Sequence, residues 1–476
     1  GCPCGRQRSG REGAVVSLLS RIYKRAQQRA PGLRKRFLDH PERLVPLAFL
    51  AAIVVGALLL LTPFARAGEG SAPFLTALFT ATSAVCVTGL IVVDTPTYWS
   101  PFGLGVILLL FQIGGFGIMA AATLLGLLIT RHVGLGRRRV AQAETRSLQL
   151  GDVMGVLKVL LAVTLIAETA VAVAVALRLH FQYGESWPDA AWNGLFQAVS
   201  AFNNAGFSTY SDSLMGFSAD PAVLVPLMLA VVISGLGFPV LYELREGWRR
   251  PSRWSIHAKL TVYGTIFLLA AGFLAVLVSE WRNPGTVGDM SVAAKVLNAG
   301  AHSVMSRTAG FNTFNIGDMR PETLLFTDVL MLIGGGSAGT AGGIKVTTFF
   351  LLGFLVWAEI RGREDATVFR RRVCPTVQRQ ALTVVLLAVG LVGAATLALL
   401  SMTPFTLDQV LFETISAFAT VGLSTGITAD LPPGAQTILI GLMYVGRVGT
   451  ITVAATLALR GRTTPFRYPE ERPIVG

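Results

Sequence analysis

Four short segments of this chain carry the residues best suited to chemistry. Residues 79–90, 196–207, 300–311 and 412–423 align without a gap, and each ends in glycine followed by Leu or Phe: Gly89-Leu90, Gly206-Phe207, Gly310-Phe311 and Gly422-Leu423. Phe79, Phe196 and Phe412 stand ten residues before the glycine, and Ser83, Ser200 and Ser416 stand six before it. The glycines are separated by 117, 104 and 112 residues. A fourfold repeat with one small polar loop per copy suggests four loops meeting on one axis. Backbone carbonyls converging there would replace the hydration shell of a cation, and glycine lets the backbone aim them.

A second set of positions repeats behind these loops: Ile113-Gly114-Gly115, Ile233-Ser234-Gly235, Ile333-Gly334-Gly335 and Val445-Gly446-Arg447. Three copies end in glycine and the fourth in arginine. The glycines either leave room beneath the loops or let helices approach closely. A guanidinium inside a membrane is costly and usually functional, so Arg447 is expected to occupy the space the glycines leave. The third copy runs into Gly334, Gly335, Gly336, Gly339, Gly342 and Gly343 within ten residues, followed by Lys345. That many glycines cannot make a comfortable helix, so a broken span with a loop at membrane depth is expected at 334–343. Gly334, Gly336 and Gly339, with Glu359 beyond, fit the dinucleotide-binding pattern, but its strand–turn–helix context is missing. No nucleophile–base arrangement is apparent, and no enzyme is expected. His302 reads as a packing residue, and Cys2, Cys4, Cys86 and Cys374 are too scattered for a disulfide framework.

The elements that must position these residues are membrane helices. The 476 residues are 52% hydrophobic and 14% charged, and apolar runs long enough to cross a ~30 Å hydrocarbon core recur. The expected fold is an all-α membrane protein of four tandem repeats. Each repeat holds a first span, a re-entrant half-helix, a polar loop and a second span, giving eight transmembrane helices and four pore loops around a central pore. The repeats are expected at 44–130, 150–243, 257–358 and 380–460, between tails at 1–43 and 461–476. The first spans fall near 44–61, 153–177, 258–279 and 380–401; the second near 101–129, 221–242, 323–357 and 433–459. The half-helices, near 73–85, 188–202, 291–305 and 406–418, are too short to cross, and non-helical backbone after them is tolerated only where it is buried or lines a watery path.

Net charge is +13, which by itself suits nucleic acid. The basic clusters Arg6–Arg43, Arg131–Arg146, Arg245–Lys259, Arg361–Arg379 and Arg460–Arg472, however, alternate with segments where acids are as common, such as Glu185/Asp189 and Asp318/Glu322. That is the positive-inside pattern. It excludes nucleic acid as partner and puts both termini in the cytoplasm, with the glycine loops on the outer side. The Arg-rich loops face a soluble regulator or attract anionic lipid.

The motifs Val-Thr-Gly89-Leu, Asn-Asn-Ala-Gly206-Phe-Ser, Thr-Ala-Gly310-Phe-Asn and Thr-Val-Gly422-Leu-Ser, together with the glycine-rich interruption and Arg447, resemble the superfamily of K+ transporters that includes TrkH, KtrB and plant HKT proteins. The resemblance covers about residues 40–460, and the span-free tail is similar to the KtrB type, since the TrkH type carries an extra helical hairpin. It implies channel-like K+ uptake across a bacterial inner membrane by a homodimer, with one pore per subunit and a cytosolic nucleotide-binding regulatory ring. It implies K+ coordination by carbonyls of Val87, Thr88 and Gly89, of Asn204, Ala205 and Gly206, of Thr308, Ala309 and Gly310, and of Thr420, Val421 and Gly422. It also implies a gate formed by the 334–343 loop, Lys345 and Arg447. K+ is the permeant ion, Na+ a candidate activator, and no organic cofactor is expected. The alternatives are a Na+-permeable or Na+-coupled protein of the same fold and an alternating-access carrier of another small solute.

Overall fold

The computed structural model describes residues 41–132, 153–363 and 365–449, with side chains for 45–122, 157–363 and 365–449. Residues 1–40 of the expected N-terminal tail, the C-terminal tail, most of the 131–146 cluster, Cys2, Cys4 and the end of the last span lie outside the described residues. Pro41–Arg43, expected in the tail, already belong to the first helix.

The described chain is almost wholly helical. Helices α1 (Pro41–Leu60), α2 (Phe74–Val85) and α3 (Pro101–His132) form a first group. Then come α4 (Val153–Tyr183), α5 (Trp187–Asn203), α6 (Pro221–Leu236) and α7 (Phe238–Gly247). A third group is α8 (Ile256–Glu280), α9 (Val292–Met305), α10 (Pro321–Leu332) and α11 (Val346–Ile360). The last is α12 (Pro375–Met402), α13 (Leu407–Ala419) and α14 (Pro433–Tyr444), which runs into a π-helical turn at Val445–Gly449. A two-stranded hairpin, Thr367–Val368 with Arg371–Arg372, joins α11 to α12.

Local sequence explains the ends. Proline begins α3, α6, α10, α12 and α14, where its fixed φ suits the first turn and its missing N–H costs nothing. Ser186, Ser291 and Thr406 cap α5, α9 and α13 by accepting backbone N–H bonds from the first turn. The short helices α2, α5, α9 and α13 have 12, 17, 14 and 13 residues, or about 18 to 26 Å of rise, less than a bilayer core.

Eight spans are expected from sequence. Among the described residues, four stretches are single helices long and apolar enough to cross: Pro101–Ala122, Leu157–Tyr183, Ile256–Glu280 and Pro375–Met402. A fifth, α6 with α7, qualifies only as a pair bent by 97°. The single span expected at 221–242 is thus corrected to a broken one. Gly237 adopts φ +88 between the two helices, a conformation glycine reaches at little cost, and Pro239 starts α7 anew.

Packing follows the order of the chain. The short helix of each group packs against the first helix of its own group. Helix α3 also packs on α5, α6 on α9, α10 on α13, and α14 back on α2. The four groups therefore close into a ring in sequence order. The aligned Phe79, Phe196 and Phe412 are among the largest fully buried side chains and anchor three of the short helices in the core. In the third group Gly300 stands there instead, and the Met228 methyl comes within 3.6 Å of where its side chain would begin.

Candidate functional site

Each short helix ends in a turn that the sequence holds in place. In the first, Ser83 Oγ donates to the Leu90 carbonyl at 2.7 Å and accepts from the Gly89 amide at 3.1 Å. Ser200 Oγ donates to the Phe207 carbonyl at 2.7 Å, and Ser416 Oγ accepts from the Gly422 amide at 3.1 Å. The serine six residues before the glycine is thus a pin across the turn, a role that its spacing alone did not reveal. Val87, Asn204 and Thr420 adopt left-handed φ values of 56, 59 and 51°, as do all four loop glycines, Gly89, Gly206, Gly310 and Gly422, at 91, 72, 70 and 97°.

The four turns meet. A Cβ added to Gly89 would run into the Ala205 carbonyl oxygen; one on Gly206 would lie 2.7 Å from that of Ala309; one on Gly310 would strike that of Val421; one on Gly422 that of Thr88. Each glycine is therefore in van der Waals contact with the backbone of the next loop, and the fourth returns to the first. Val87, Thr88, Ala205, Thr308, Ala309, Thr420 and Val421 are buried in the same four turns. The hydroxyls of Thr88 and Thr420 are buried with no hydrogen-bond partner among the described residues. On one side of the ring lies a cavity of about 540 Å³, lined by all four glycines and by Asp94, Tyr210 and Asp212. Ser211 Oγ donates to Asp94 at 2.7 Å, tying the outer segments of the first two groups together.

The glycine-rich stretch lies against the same turns. Its neck is closed by backbone bonds from the Gly334 amide to the Ile344 carbonyl and from the Ile344 amide to the Leu332 carbonyl. Its body docks on the break between α6 and α7: the Gly336 amide donates to the Gly235 carbonyl at 2.8 Å, and the Thr340 amide to that of Ser234 at 3.3 Å. Gly335, Gly336 and Gly339 pack on backbone or side-chain atoms that a Cβ would strike, and Gly342 is packed against Ala419 and Thr420 of the fourth turn. Gly343 takes φ +64. Lys345 Nζ donates to the Ala341 carbonyl at 2.6 Å, inside the stretch.

Arg447 is 3% exposed. Its Nη1 donates to the Thr340 carbonyl at 2.6 Å, while Nε and Nη2 have no partner among the described residues. The arginine therefore grips the stretch instead of standing free beside it. The repeated glycines do not uniformly leave open room: Gly114 is packed on the Val85 carbonyl, Gly115 on Asn203 and Gly446 on the Phe418 carbonyl, and only Gly235 has nothing within 4 Å of an added Cβ. Close helix-to-turn packing explains most of them.

Two contributors, Glu413 and Arg307, are not singled out from the sequence, and neither is the side-chain role of Asn204, whose carbonyl alone is expected to matter. Asn204 Nδ2 donates to Thr340 Oγ1 at 2.5 Å and Ser234 Oγ at 3.2 Å, joining the second turn to the stretch. Glu413 is fully buried on α13 and accepts from Ser424, from the Thr425 amide at 3.1 Å and from Thr428 at 2.9 Å. Arg307, 6% exposed, donates from Nη2 to the Gly334 carbonyl at 2.7 Å. An ionisable residue within an apolar segment is a functional signal, so Arg307 and Glu413 were legible by the rule that singled out Arg447.

Comparison with known proteins gives the site its context. The family model described as TrkH, cation transport protein, matches residues 40–461. The chain is 38% identical over 438 residues to the Ktr system potassium uptake protein B of Bacillus subtilis (strain 168), covering 92% of this chain and 97% of that one. It is 35% identical to the protein of the same name from Vibrio alginolyticus, over 94% of this chain and 97% of that one. It is 34% identical to the potassium/sodium uptake protein NtpJ of Enterococcus hirae, over 93% and 98%. The crystal structure of the potassium transporter TrkH from Vibrio parahaemolyticus superposes with a TM-score of 0.69 at 20% identity, covering 88% of this chain and 84% of that one. At that identity the likeness shows a common fold.

Proposed function

Since this chain belongs to the TrkH family of cation transport proteins, we propose that it takes up potassium across a bacterial membrane through a channel-like path between its four repeats. The observation that carries this reading is the closed ring of glycine turns, in which each glycine abuts the carbonyl-bearing backbone of the next. Carbonyls of the twelve residues from Val87–Gly89, Asn204–Gly206, Thr308–Gly310 and Thr420–Gly422 are the proposed K+ ligands. A carbonyl ring offers a dehydrated cation what water offered it. The short helices end at the ring, and the negative ends of their dipoles favour a cation there. The unpartnered hydroxyls of Thr88 and Thr420 fit the same polar lining. Names of the relatives support K+ as the cargo, and the potassium/sodium name of one keeps Na+ as a second permeant or activating ion.

The glycine-rich stretch, Lys345 and Arg447 are the proposed barrier on the other side of the ring. Gly342 reaches the fourth turn and Thr340 the second, so the stretch crosses the route an ion would take inward. Arg447, bonded to Thr340, holds it there and adds positive charge in a poorly screening medium. A cytosolic nucleotide-binding ring, docked on the Arg-rich loops of a homodimer, would release it. Two relatives are the B protein of a named system, which supports a second component.

The test is ion flux in proteoliposomes, comparing K+, Na+ and Rb+ for the parent and for a variant lacking four residues within 334–343. The expected results are K+-preferring flux and a strong rise on shortening, with less dependence on the regulator. A folded parent that exchanges a solute but never conducts K+ would refute the channel. A shortened variant no faster than the parent would refute the barrier.

A further inference from the structure

The third glycine turn is built differently from the other three. Val304 stands where the others have the pinning serine. The turn is closed instead by the Ala309 and Gly310 amides, which both donate to the Met305 carbonyl at 2.9 and 3.1 Å. It also lacks the left-handed residue two before the glycine that Val87, Asn204 and Thr420 supply. Among the described residues, no side-chain bond crosses this turn to its glycine or the residue after it, as the serine bonds do in theirs. The side chain it does extend, Arg307, leaves the turn altogether and bonds Gly334.

We infer that Arg307 is a positioning residue that couples the third glycine turn to the glycine-rich stretch, so that the ring and the barrier change conformation together. The inference rests on the barrier reading above. Arg307 lies three residues from Gly310, whose Cα faces the fourth turn, and two from Ala309, whose carbonyl faces Gly206 of the second. A shift of this turn therefore reaches both of its neighbours in the ring. At the other end, Gly334 is the first residue of the stretch and is itself paired across the neck to Ile344. Moving the stretch away from the ring must either drag the third turn with it or strip the bond from a buried guanidinium. Its Nε already has no partner among the described residues. Leaving such a charge unbonded is expensive, so the linked movement is favoured. Arg447 grips the same stretch from the fourth group, but from beyond the turn. From within the turns, Asn204 reaches the hydroxyl of Thr340 in the body of the stretch, whereas Arg307 holds the backbone at its neck with a charged group.

The test uses full-length protein in proteoliposomes and reads two quantities, K+ flux and the K+/Na+ flux ratio. A merely structural arginine would affect folding but not that ratio in the folded fraction. Arg307→Gln is expected to raise K+ flux by about tenfold or more, the value of one charge-assisted hydrogen bond, and to lower the K+/Na+ ratio. Arg307→Lys, which keeps a donor but not the planar fork, is expected to fall between. In the variant shortened within 334–343, Arg307→Gln is expected to add nothing further. Parental flux and ratio in folded Arg307→Gln, beside a faster shortened variant, overturn the coupling and leave the barrier reading intact. A shortened variant that is no faster overturns the barrier reading, and the coupling with it. Should Arg307→Gln not fold, the unmodified protein decides: amide hydrogen exchange across 334–343 is expected to differ between K+ and choline buffers, and equal exchange overturns the coupling.

Discussion

Replacing Gly206 by alanine adds a single methyl group at the centre of the ring, and its effect can be worked from the geometry. The new Cβ would lie 2.7 Å from the Ala309 carbonyl oxygen and 3.2 Å from the Gly310 Cα, both backbone atoms. Ordinary contact begins at 3.4 Å, so the carbonyl must retreat by about 0.7 Å (3.4 − 2.7), a large shift beside the tight packing of a protein interior. Alanine at φ +72 also carries strain of roughly 1–2 kcal/mol. If Ala309 offers its carbonyl to K+, displacing it weakens K+ more than a smaller ion that can recentre. A loss of only ~1.4 kcal/mol of preference lowers the K+/Na+ ratio tenfold. The assay is ion flux in proteoliposomes under opposing K+ and Na+ gradients, with thermal unfolding to confirm folding. Gly105→Ala in α3 is the control, because an added Cβ there meets nothing within 4 Å, and it should leave the ratio unchanged. A folded Gly206→Ala protein with the parental ratio would refute the reasoning, since the carbonyl cannot both move and remain a selective ligand.

Other outcomes follow from the same contacts. Gly89→Ser, which crowds the Ala205 carbonyl in the same way, is expected to raise Na+ flux relative to K+; ion-replacement flux assays check it. Ser83→Ala removes both bonds that pin the first turn, and the stranded buried groups should cost about 1–3 kcal/mol, read as a lower unfolding temperature with reduced selectivity. Arg447→Ala frees Thr340 and is expected to raise K+ flux, with thermal stability separating release of the stretch from collapse of the site. Asp220, the cap of α6, is desolvated by burial, yet bonds from Arg178 and the Ala222 amide and the Arg178 charge outweigh this and hold its carboxyl below the usual range. A depressed folded pKa gives stability that is present above the unfolded value and lost as pH falls through the folded one. The unfolding-temperature gap between the parent and Asp220→Asn should therefore be widest near neutral pH and close as the solution is acidified below about 4.

Sequence alone determined what depends on local order and on repetition. The apolar runs, proline starts and Ser or Thr caps dictate helices, and the observed short helices begin and end within a few residues of the expected half-helices, because caps and the closing turn are local interactions. The gapless alignment of the four glycine segments pointed to the residues that the structure brings into one ring, since four similar units that cannot bury their polar turns alone must bury them together. The glycine-rich stretch also announced itself as non-helical by composition. What only the tertiary structure decided was partnership across distance. Nothing in the spacing says that Gly237 bends a span through 97°, because Gly235-Leu-Gly237 is equally compatible with a continuous membrane helix. The pairing of Arg447 with Thr340, of Arg307 with Gly334 and of Asn204 with Thr340 joins residues 107, 27 and 136 positions apart. Such bonds follow from which carbonyls and hydroxyls are left unpaired once the helices have packed. The glycines behind the turns show the same division: their recurrence is visible in the sequence, but whether each leaves a space or fills one depends on the neighbouring backbone, which arrives only with the fold.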